Sequence, residues 1–414
     1  MRAVGIDFGT TNSALAVTDA QGTRLATFAH DTLDVFRSVL YLTRRARGSG
    51  VGEAFAGPDA IARYLDDGEG RLIQSIKSYL ASPAFRETSI FDRGYSLGDL
   101  LSYFLRALRG EAEASLGPLG RRAVVGRPVR FAGEGATDEA LALDRLRGAF
   151  AAAGFDDVQF ELEPVGAAWA FGARVDRERV VLVGDFGGGT SDFSLLRIAP
   201  DAAEVIGNDG EPIAGDVFDG HIVRNVVAPA LGRGTRYRGL DKTLEVPHGI
   251  YGNLERWHLL SFLKERRTLQ QILEWAAHAE EPEKLQGLLH LVRADRGFFL
   301  HAAVQAAKAD LSRNPSTTLR FQDGPIDLAV DIRRADFEAW IADDVARMGA
   351  AVDRLLGSAP GVAIDEVFLT GGTSLVPAVR RLFDDRFGAA RVHDGGEFTS
   401  VAVGLARRAG ALPC

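Results

Sequence analysis

The stretch that decides the fold is Val180-Val181-Leu182-Val183-Gly184-Asp185-Phe186-Gly187-Gly188-Gly189-Thr190-Ser191-Asp192-Phe193. A β-branched apolar run leads to an aspartate, three glycines and a threonine follow, and alternating apolar and polar residues then resume. This pattern predicts a buried strand that ends at Asp185, a tight turn and a second strand. Glycine lets backbone N–H groups approach an anion closely, so the turn favours a polyphosphate with its metal. A plain glycine-rich hairpin is the alternative.

The same layout occurs near the start of the chain, in Ala3-Val4-Gly5-Ile6-Asp7-Phe8-Gly9-Thr10-Thr11-Asn12-Ser13-Ala14-Leu15-Ala16-Val17. Asp7 and Asp185 lie 178 positions apart, so each half of the chain carries one strand–turn–strand unit. Two hairpins that grip one ligand from opposite sides require two similarly folded lobes with a cleft between them. The internal repeat therefore favours phosphate binding over the plain hairpin.

Composition and charge exclude several classes of protein. The chain has 414 residues, long enough for two domains or two large lobes, and its content of 46% hydrophobic and 25% charged residues is typical of a globular protein. A net charge of −8 without a basic stripe argues against nucleic-acid binding. No apolar run reaches the roughly 20 residues of a membrane span, and the N-terminus enters a strand at once, so we expect neither a membrane segment nor a signal peptide. The single cysteine, Cys414, excludes a disulfide framework, and a cytoplasmic location is expected.

Helical periodicity is clear in several places. Apolar spacing predicts a helix from Leu97 to Leu116, another from Thr137 as N-cap through Ala153, and a single amphipathic helix from Phe337 to Leu355. Residues 232–300 consist of a polar loop followed by long helical stretches. The histidines are scattered and show no metal-binding spacing.

Three further stretches carry candidate polar groups. Lys77 has apolar neighbours, which is typical of a surface lysine that snorkels and also of a paired one. Glu163-Pro164 begins a predicted helix of small residues, and the glutamate would face the cleft if that helix crosses between the lobes. Gly371-Gly372-Thr373 lies between a predicted strand and a helix, where it forms either an anion or ribose site or a structural turn.

Taken in order, these stretches resemble the nucleotide-binding part of DnaK-type heat-shock chaperones, within the actin-like ATPase superfamily. The short YegD-type members are the most similar. The resemblance covers nearly the whole chain, and two of the five lysines fall on its motif positions. Gln305 and Leu375 depart from it, standing where many relatives have a glutamate and an arginine. The residues that carry it are Gly5 to Ser13, Ile76-Lys77, Glu163-Pro164, Asp185 to Asp192, Ala307-Lys308 through Ser312, and Phe368 to Thr373.

The resemblance implies an α/β protein with the two-lobed actin-like ATPase fold, built from duplicated ribonuclease-H-like sheets with flanking helices. Residues 1–173 would form lobe I and residues 174–384 lobe II. Lobe II would include a helical insertion at about 215–335, and residues 385–414 would return to lobe I. A peptide-binding domain is not expected.

The resemblance also assigns roles to individual residues. Asp7 and Asp185 would hold Mg²⁺, mainly through water, while Lys77 would contact the γ-phosphate and the attacking water. Glu163, Asp192 and Thr190 would complete the catalytic set. The implied nucleotide-binding residues are Gly9, Thr10, Thr11, Asn12, Gly187, Gly188, Gly189, Thr190, Gly215, Asp216, Lys308, Ser312, Gly371, Gly372 and Thr373.

These roles imply a slow ATPase that acts as a nucleotide-dependent conformational switch, with ATP or ADP and Mg²⁺ as cofactors and K⁺ as a further candidate. A protein client would dock on the lobes, with the helical region 232–300 as the favoured place. The second hypothesis is a small-molecule kinase for a sugar or an acid, because sugar kinases share the Gly-Ile-Asp-x-Gly-Thr-Thr pattern. A third is a filament-forming actin-like protein. The absence of a G-x-x-x-x-G-K-[ST] motif excludes a P-loop enzyme.

Overall fold

The computed structural model describes residues 2–29, 32–46, 48–66, 69–131, 137–172, 177–199, 202–239, 242–394 and 399–412. Cys414 lies outside these ranges. The strands of the described residues are β1 (Ala3–Phe8), β2 (Asn12–Asp19), β3 (Gly22–Leu25), β4 (Phe36–Arg37), β5 (Val39–Arg44), β6 (Val51–Ala56), β7 (Arg71–Gln74), β8 (Glu87–Ile90), β9 (Arg93–Ser96), β10 (Arg122–Arg127), β11 (Asp157–Leu162), β12 (Arg179–Phe186), β13 (Ser191–Ala199), β14 (Ala202–Glu211), β15 (Arg236–Arg238), β16 (Thr243–Glu245), β17 (Ser316–Asp323), β18 (Ile326–Arg333), β19 (Glu366–Thr370) and β20 (Val392–Asp394).

The helices of the same residues are α1 (Gly57–Asp66), α2 (Leu97–Leu116), α3 (Glu139–Ala152), α4 (Glu163–Gly172), α5 (Gly215–Ile222), α6 (Ala228–Ala230), α7 (Gly249–Glu255), α8 (Arg266–His278), α9 (Pro282–Arg293), α10 (Gly297–Arg313), α11 (Arg334–Trp340), α12 (Ala342–Ser358), α13 (Pro377–Phe387) and α14 (Ser400–Ala411). Short 3₁₀ segments cover Ile76–Tyr79, Trp257–Lys264, Gly372–Leu375 and Ala389–Arg391, and a π-helical turn covers Val223–Val227.

The two main sheets have the same topology. The first has the strand order β3-β2-β1-β10-β11, and the second has the order β14-β13-β12-β19-β20. In each sheet, three consecutive strands form an antiparallel meander, and the first of them is flanked on its other side by two parallel strands. The repeat seen in the sequence is therefore a repeat of the whole sheet. The predicted α/β fold with duplicated sheets is confirmed.

The chain divides into two compact units. Unit 1 contains both main sheets and comprises Met1–Ala214, Ala346–Leu375 and Val379–Cys414. Unit 2 comprises Gly215–Val345 and Val376–Ala378, and the predicted helical insertion at about 215–335 lies within it. The predicted lobe boundaries at 173/174 and 384/385 stay a prediction.

Within unit 1, α4 and α14 lie between the two sheets. α4 packs against β12 and β13 of the second sheet, whereas α14 packs against β1 and β2 of the first, and the two helices pack against each other. A buried apolar cluster joins α4 and α14 to strands of both sheets, with Val165 on α4, Leu405 on α14, Val124 on β10 and Val183 on β12 among its members. This shared core fixes the two hairpins relative to each other, because each hairpin extends from a strand that is packed against it.

Glycine allows the two central helices to approach closely. A Cβ atom on Gly404 would overlap the carbonyl oxygen of Gly166 and lie 2.7 Å from the backbone nitrogen of Ala170. Both partners are backbone atoms, which cannot move aside as a flexible side chain does. The small residues Gly166 and Ala170 of α4 therefore lie directly against α14.

Unit 2 is built mainly from helices. α5 continues through the π-helical turn into α6, which ends at Ala230. Phe218 of α5 meets Phe337 of α11 edge to face, with ring centroids 6.2 Å apart. α8 packs against α9, and α10 packs against the β17–β18 hairpin. The helical character expected for residues 232–300 is thus found.

Two predicted helix boundaries are wrong. Asp138, not Thr137, is the N-cap of α3, because its Oδ1 accepts a hydrogen bond of 2.9 Å from the Leu141 N–H. The predicted single helix from Phe337 to Leu355 is two helices, α11 and α12, separated by Ile341, whose backbone angles of φ −95° and ψ 2° are not those of an α-helix. Ile341 is itself buried, so the apolar pattern continues across the break and hides it.

Among the described residues, no helix combines the length and the apolar content that crossing a bilayer requires.

Replacing Gly404 by alanine tests the contact between α4 and α14. The added methyl group overlaps backbone atoms, so we expect the free energy of unfolding to fall by about 3 kcal/mol in urea denaturation. Gly110→Ala is the matched control, because Gly110 also lies inside a helix but a Cβ there meets nothing within 4 Å. That variant should gain up to about 1 kcal/mol from helix propensity. Equal stability of the two variants would contradict the close approach.

Candidate functional site

The first hairpin places Asp7 next to a short turn. Asp7 lies at the end of β1, and the turn follows at once. A Cβ on Gly9 would overlap the carbonyl oxygen of Asn12, so the turn accepts glycine only. Ser38 holds the turn from the side: its N–H donates to the Thr11 carbonyl at 2.9 Å and its hydroxyl donates to the Gly9 carbonyl at 2.7 Å. Thr10 lies in this turn, half-buried.

The second hairpin places two aspartates side by side. Asp185 on β12 is directly opposite Asp192 on β13 in the antiparallel register. The turn between these strands closes with a hydrogen bond of 3.0 Å from the Gly187 N–H to the Thr190 carbonyl, and the two glycines in between are half-buried. The Thr190 side chain is hydrogen-bonded to Asp192. The turn therefore presents backbone donors beside a pair of carboxylates.

A third turn lies beside the second hairpin. Gly371 follows β19, the parallel neighbour of β12, and has a φ of 84°, which favours glycine. A Cβ on it would overlap the carbonyl oxygen of Phe186. The Thr373 hydroxyl donates to the Gly187 carbonyl at 3.3 Å. The structure therefore brings the Gly371-Gly372-Thr373 turn to the edge of the glycine-rich hairpin.

Lys77 is a buried and paired lysine. Its Nζ lies 2.6 Å from Oε1 of Glu163, the first residue of α4, and the two residues are 8% and 6% exposed. The surface position that its neighbours suggest is therefore wrong, and the paired alternative is correct. The 3₁₀ turn that carries it begins after Ser75, a non-glycine residue with the left-handed angles φ 50° and ψ 36°.

Burial and mutual repulsion raise the pKa of the aspartates. Burial raises the pKa of Asp7 to about 7, the charge of Glu163 adds to this, and Lys77 opposes it. Burial also raises the pKa of Asp185 well above its usual range, with Glu163, Asp7 and Asp192 adding to the effect. These carboxylates lie close enough to repel one another, and a single lysine offsets them within the described residues.

Asp192 also has a raised pKa, although its hydrogen bonds act in the opposite direction. Burial and the Glu163 charge raise its pKa to about 7, whereas bonds from Thr190 and from the Val129 N–H lower it. The Val129 bond measures 2.7 Å to Oδ1. For Lys77, burial lowers the pKa, but the charges of Glu163 and Asp7 outweigh it and the pKa is raised. The lysine is thus held in its charged form.

The remaining candidate residues belong to unit 2. Lys308 on α10 donates to the Gly215 carbonyl at 3.0 Å, and its Nζ lies 2.8 Å from Oδ1 of Asp219. The Ser312 hydroxyl donates to the Lys308 carbonyl at 3.3 Å. Asp216 is in the first turn of α5. The structure brings these residues together within unit 2, and their contact with a nucleotide stays a prediction.

Three groups that shape the site were missed from the sequence. Ser38 is buried. It is a polar residue within the mainly apolar stretch 36–42, and this position in the sequence could have indicated that it has a structural role. Asp219 is 1% exposed and lies one helical turn after Gly215, so its position on α5 could have indicated it. The Val129 N–H has no sequence signal, because every residue except proline carries one.

The arrangement suits a divalent cation near the two hairpins. Four carboxylates, those of Asp7, Glu163, Asp185 and Asp192, interact with one another around Lys77 and leave an excess of negative charge. A bound cation would remove the repulsion that raises the pKa values. Within the described residues, no set of three or more His, Cys, Asp or Glu side chains is close enough to hold a metal ion directly. Contact of Mg²⁺ with Asp7 and Asp185 through water stays a prediction.

The two main sheets are duplicates, and in each one a central strand carries an aspartate near its end and leads into a tight turn. This arrangement defines the actin-like ATPase fold. The family model described as Hsp70 protein matches residues 75–234 and 296–414. The chain belongs to the Hsp70 family, a family of heat-shock chaperone ATPases.

Individual relatives agree with this family. The chain is 28% identical to the chaperone protein DnaK of Thermotoga maritima over an alignment of 424 residues, which covers 99% of this chain and 59% of that protein. It is 25% identical to the DnaK of Halobacterium salinarum over 419 residues, covering 99% of this chain and 56% of that protein. The chain therefore spans less than two thirds of the length of these relatives.

The raised pKa of Asp192 predicts a pH-dependent stability in protein free of metal and nucleotide. Between the ordinary value and about 7, the folded protein holds a proton at Asp192 that the unfolded chain has released, so stability falls as the pH rises through that window. Asp192→Asn removes the charge and keeps an acceptor for the Val129 N–H. We expect the variant to gain about 2 kcal/mol relative to the wild type between pH 5 and pH 8, measured by urea denaturation in EDTA.

Asp353→Asn, at an exposed carboxylate, is the matched control, and its stability relative to the wild type should stay the same at both pH values. If the stability of Asp192→Asn relative to the wild type also stayed the same at both pH values, Asp192 would not be a buried carboxyl group with a raised pKa.

Proposed function

We propose that this chain binds ATP with Mg²⁺, hydrolyses it slowly, and changes conformation with the bound nucleotide. The observation that carries the proposal is the buried Lys77–Glu163 ion pair, which interacts with three aspartates on the strands of the duplicated hairpins. Phosphoryl transfer needs a metal, backbone donors, a fixed positive charge and carboxylates that orient water, and each has a candidate here.

Asp7 and Asp185 would hold Mg²⁺ through its bound water. When bound, the cation supplies charge that offsets both the polyphosphate and the carboxylates. The backbone N–H groups of the two turns, with the hydroxyls of Thr10, Thr11 and Thr190, would bind phosphate oxygens. Lys77 is supported as the group that contacts the γ-phosphate because its charge is retained on burial and its position is fixed by Glu163.

Glu163 and Asp192 are supported as the residues that orient the attacking water. A carboxylate accepts hydrogen bonds from water and fixes its direction, whereas a neutral carboxylic acid can hold or release a proton. The pKa of Asp192, raised to about 7 by burial, allows both forms near neutral pH. The bond from the Val129 N–H fixes Oδ1, so Oδ2 is the oxygen that would face water.

Each unit has its own candidate nucleotide-binding residues. In unit 1, Gly371, Gly372 and Thr373 continue from the turn of the second hairpin, to which the Thr373 hydroxyl is bonded. In unit 2, the candidates are Gly215, Asp216, Lys308 and Ser312. Lys308 is supported by its fixed position, because its ammonium group is held by Asp219 and by the Gly215 carbonyl.

The nucleotide would control a protein partner. Residues 235–295 lie between the two segments that match the family model, so this part of the helical region 232–300 departs from the family pattern. That difference supports the region as the docking place for a client. K⁺ remains a further cofactor candidate.

Asp185→Asn tests the proposed chemistry. Loss of this carboxylate removes one of the two metal-binding groups, so we expect single-turnover hydrolysis of Mg-ATP to fall at least about 100-fold while the melting temperature stays close to that of the wild type. Phosphate release is measured without any added acceptor.

Asp353→Asn makes the same chemical change at an exposed site and should keep the wild-type rate. An unchanged rate in Asp185→Asn would refute the assigned site. Turnover that appears in the wild type only after a sugar or an acid is added would instead identify a small-molecule kinase.

A further inference from the structure

One arginine of unit 1 makes an unusual set of contacts with the segment that follows Lys77. Arg145 lies on the second turn of α3 and is half-buried. Its guanidinium group donates to four backbone carbonyls: from Nη1 to Tyr79 at 3.1 Å, to Leu80 at 2.7 Å and to Ser82 at 3.0 Å, and from Nη2 to Phe85 at 2.6 Å. A single side chain thus binds four carbonyls along the seven-residue segment 79–85.

The physical reason is the end of a helical turn. The 3₁₀ turn Ile76–Tyr79 ends at Leu80, and the Tyr79 carbonyl there accepts a hydrogen bond from the Ser82 N–H at 3.2 Å as well as one from Arg145. A guanidinium group carries five N–H donors in a rigid plane and a positive charge, which suits that end of a helix. The start of α3 makes a second contact with the same segment, because the N–H of its N-cap residue Asp138 donates to the Ala81 carbonyl at 2.8 Å.

The start of the turn depends on such external support. Ser75 has left-handed backbone angles, which are strained in a residue with a side chain and persist when the surroundings impose them. It is completely buried, and its hydroxyl oxygen finds no hydrogen-bond partner among the described residues. Lys77 follows two positions later. A residue with strained backbone angles therefore precedes the lysine, and the segment that Arg145 contacts follows it.

We propose that Arg145 is a positioning residue that acts through Lys77: it fixes the turn that carries the lysine, so that the ammonium group is in place for phosphoryl transfer. The inference rests on the proposed ATP hydrolysis and deepens it. Arg145 itself contacts backbone carbonyls, and within the described residues its hydrogen-bond partners do not include any residue assigned to the phosphates or the metal.

Arg145→Met and Arg145→Lys test the role. Methionine keeps the aliphatic length and loses all the donors, whereas lysine keeps the charge and can reach one or two carbonyls. We expect the single-turnover rate of Mg-ATP hydrolysis to fall at least tenfold in Arg145→Met and less in Arg145→Lys. The dissociation constant for Mg-ADP, which lacks the γ-phosphate, should stay within twofold of the wild type in both.

Arg147→Met is the matched control, because Arg147 is on the same helix but is exposed, with its guanidinium carbon 5.4 Å from the centre of the Phe160 ring. It should keep the wild-type rate. A wild-type rate in folded Arg145→Met overturns the proposal, and if that variant does not fold, a wild-type rate in Arg145→Lys does so. An equal loss of Mg-ADP binding and of turnover also overturns it, because Arg145 would then support the fold in general.

Hydrogen exchange separates this inference from the proposed function. In nucleotide-free protein, amides 78–86 should exchange at least tenfold faster in Arg145→Met than in the wild type, whether or not the protein hydrolyses ATP. Unchanged exchange there contradicts the clamp itself. A wild-type protein without turnover refutes the proposed function, and the exchange data then still decide whether Arg145 holds the segment.

Discussion

The crowding of negative charge around one buried lysine is the constraint on which the site depends. Among the described residues, Lys77 is hydrogen-bonded to one carboxylate, that of Glu163, while Asp7, Asp185 and Asp192 add further negative charge nearby. Taking such charges out of water is expensive unless they are neutralised. The fold imposes this cost because each aspartate ends or begins a buried strand, and it leaves a place where a cation and a phosphate chain would lower the free energy.

The duplicated sheets and the two central helices create this crowding. β1 and β12 occupy equivalent positions in their sheets, so Asp7 and Asp185 are equivalent ends of equivalent strands. The close approach of α4 and α14 brings the sheets together over a shared core. Glu163 then enters as the first residue of α4, where the helix N-terminus favours a negative charge. The packing between these two helices thus determines how near the charged groups lie.

The fold and the hairpins could be predicted from the sequence because their signals are local. Asp7 and Asp185 each stand two residues before a glycine that begins a turn, and the repeat of this layout identifies them as a pair. The pairing of Lys77 with Glu163 spans 86 positions, so the lysine by itself looks like a surface residue. Arg145 could not have been identified, since its partners are backbone carbonyls, which every residue has. The break at Ile341 was hidden because that residue is buried on the same face as its helical neighbours.

Isothermal titration of ATP, with Mg²⁺ and then with EDTA, tests most directly whether the crowded carboxylates form a metal–nucleotide site. With Mg²⁺, ATP should bind with a dissociation constant below a millimolar. With EDTA the affinity should fall at least about tenfold, because the bare polyphosphate would then meet uncompensated carboxylates. Absence of binding at millimolar Mg-ATP, or equal affinity under both conditions, would contradict the assignment.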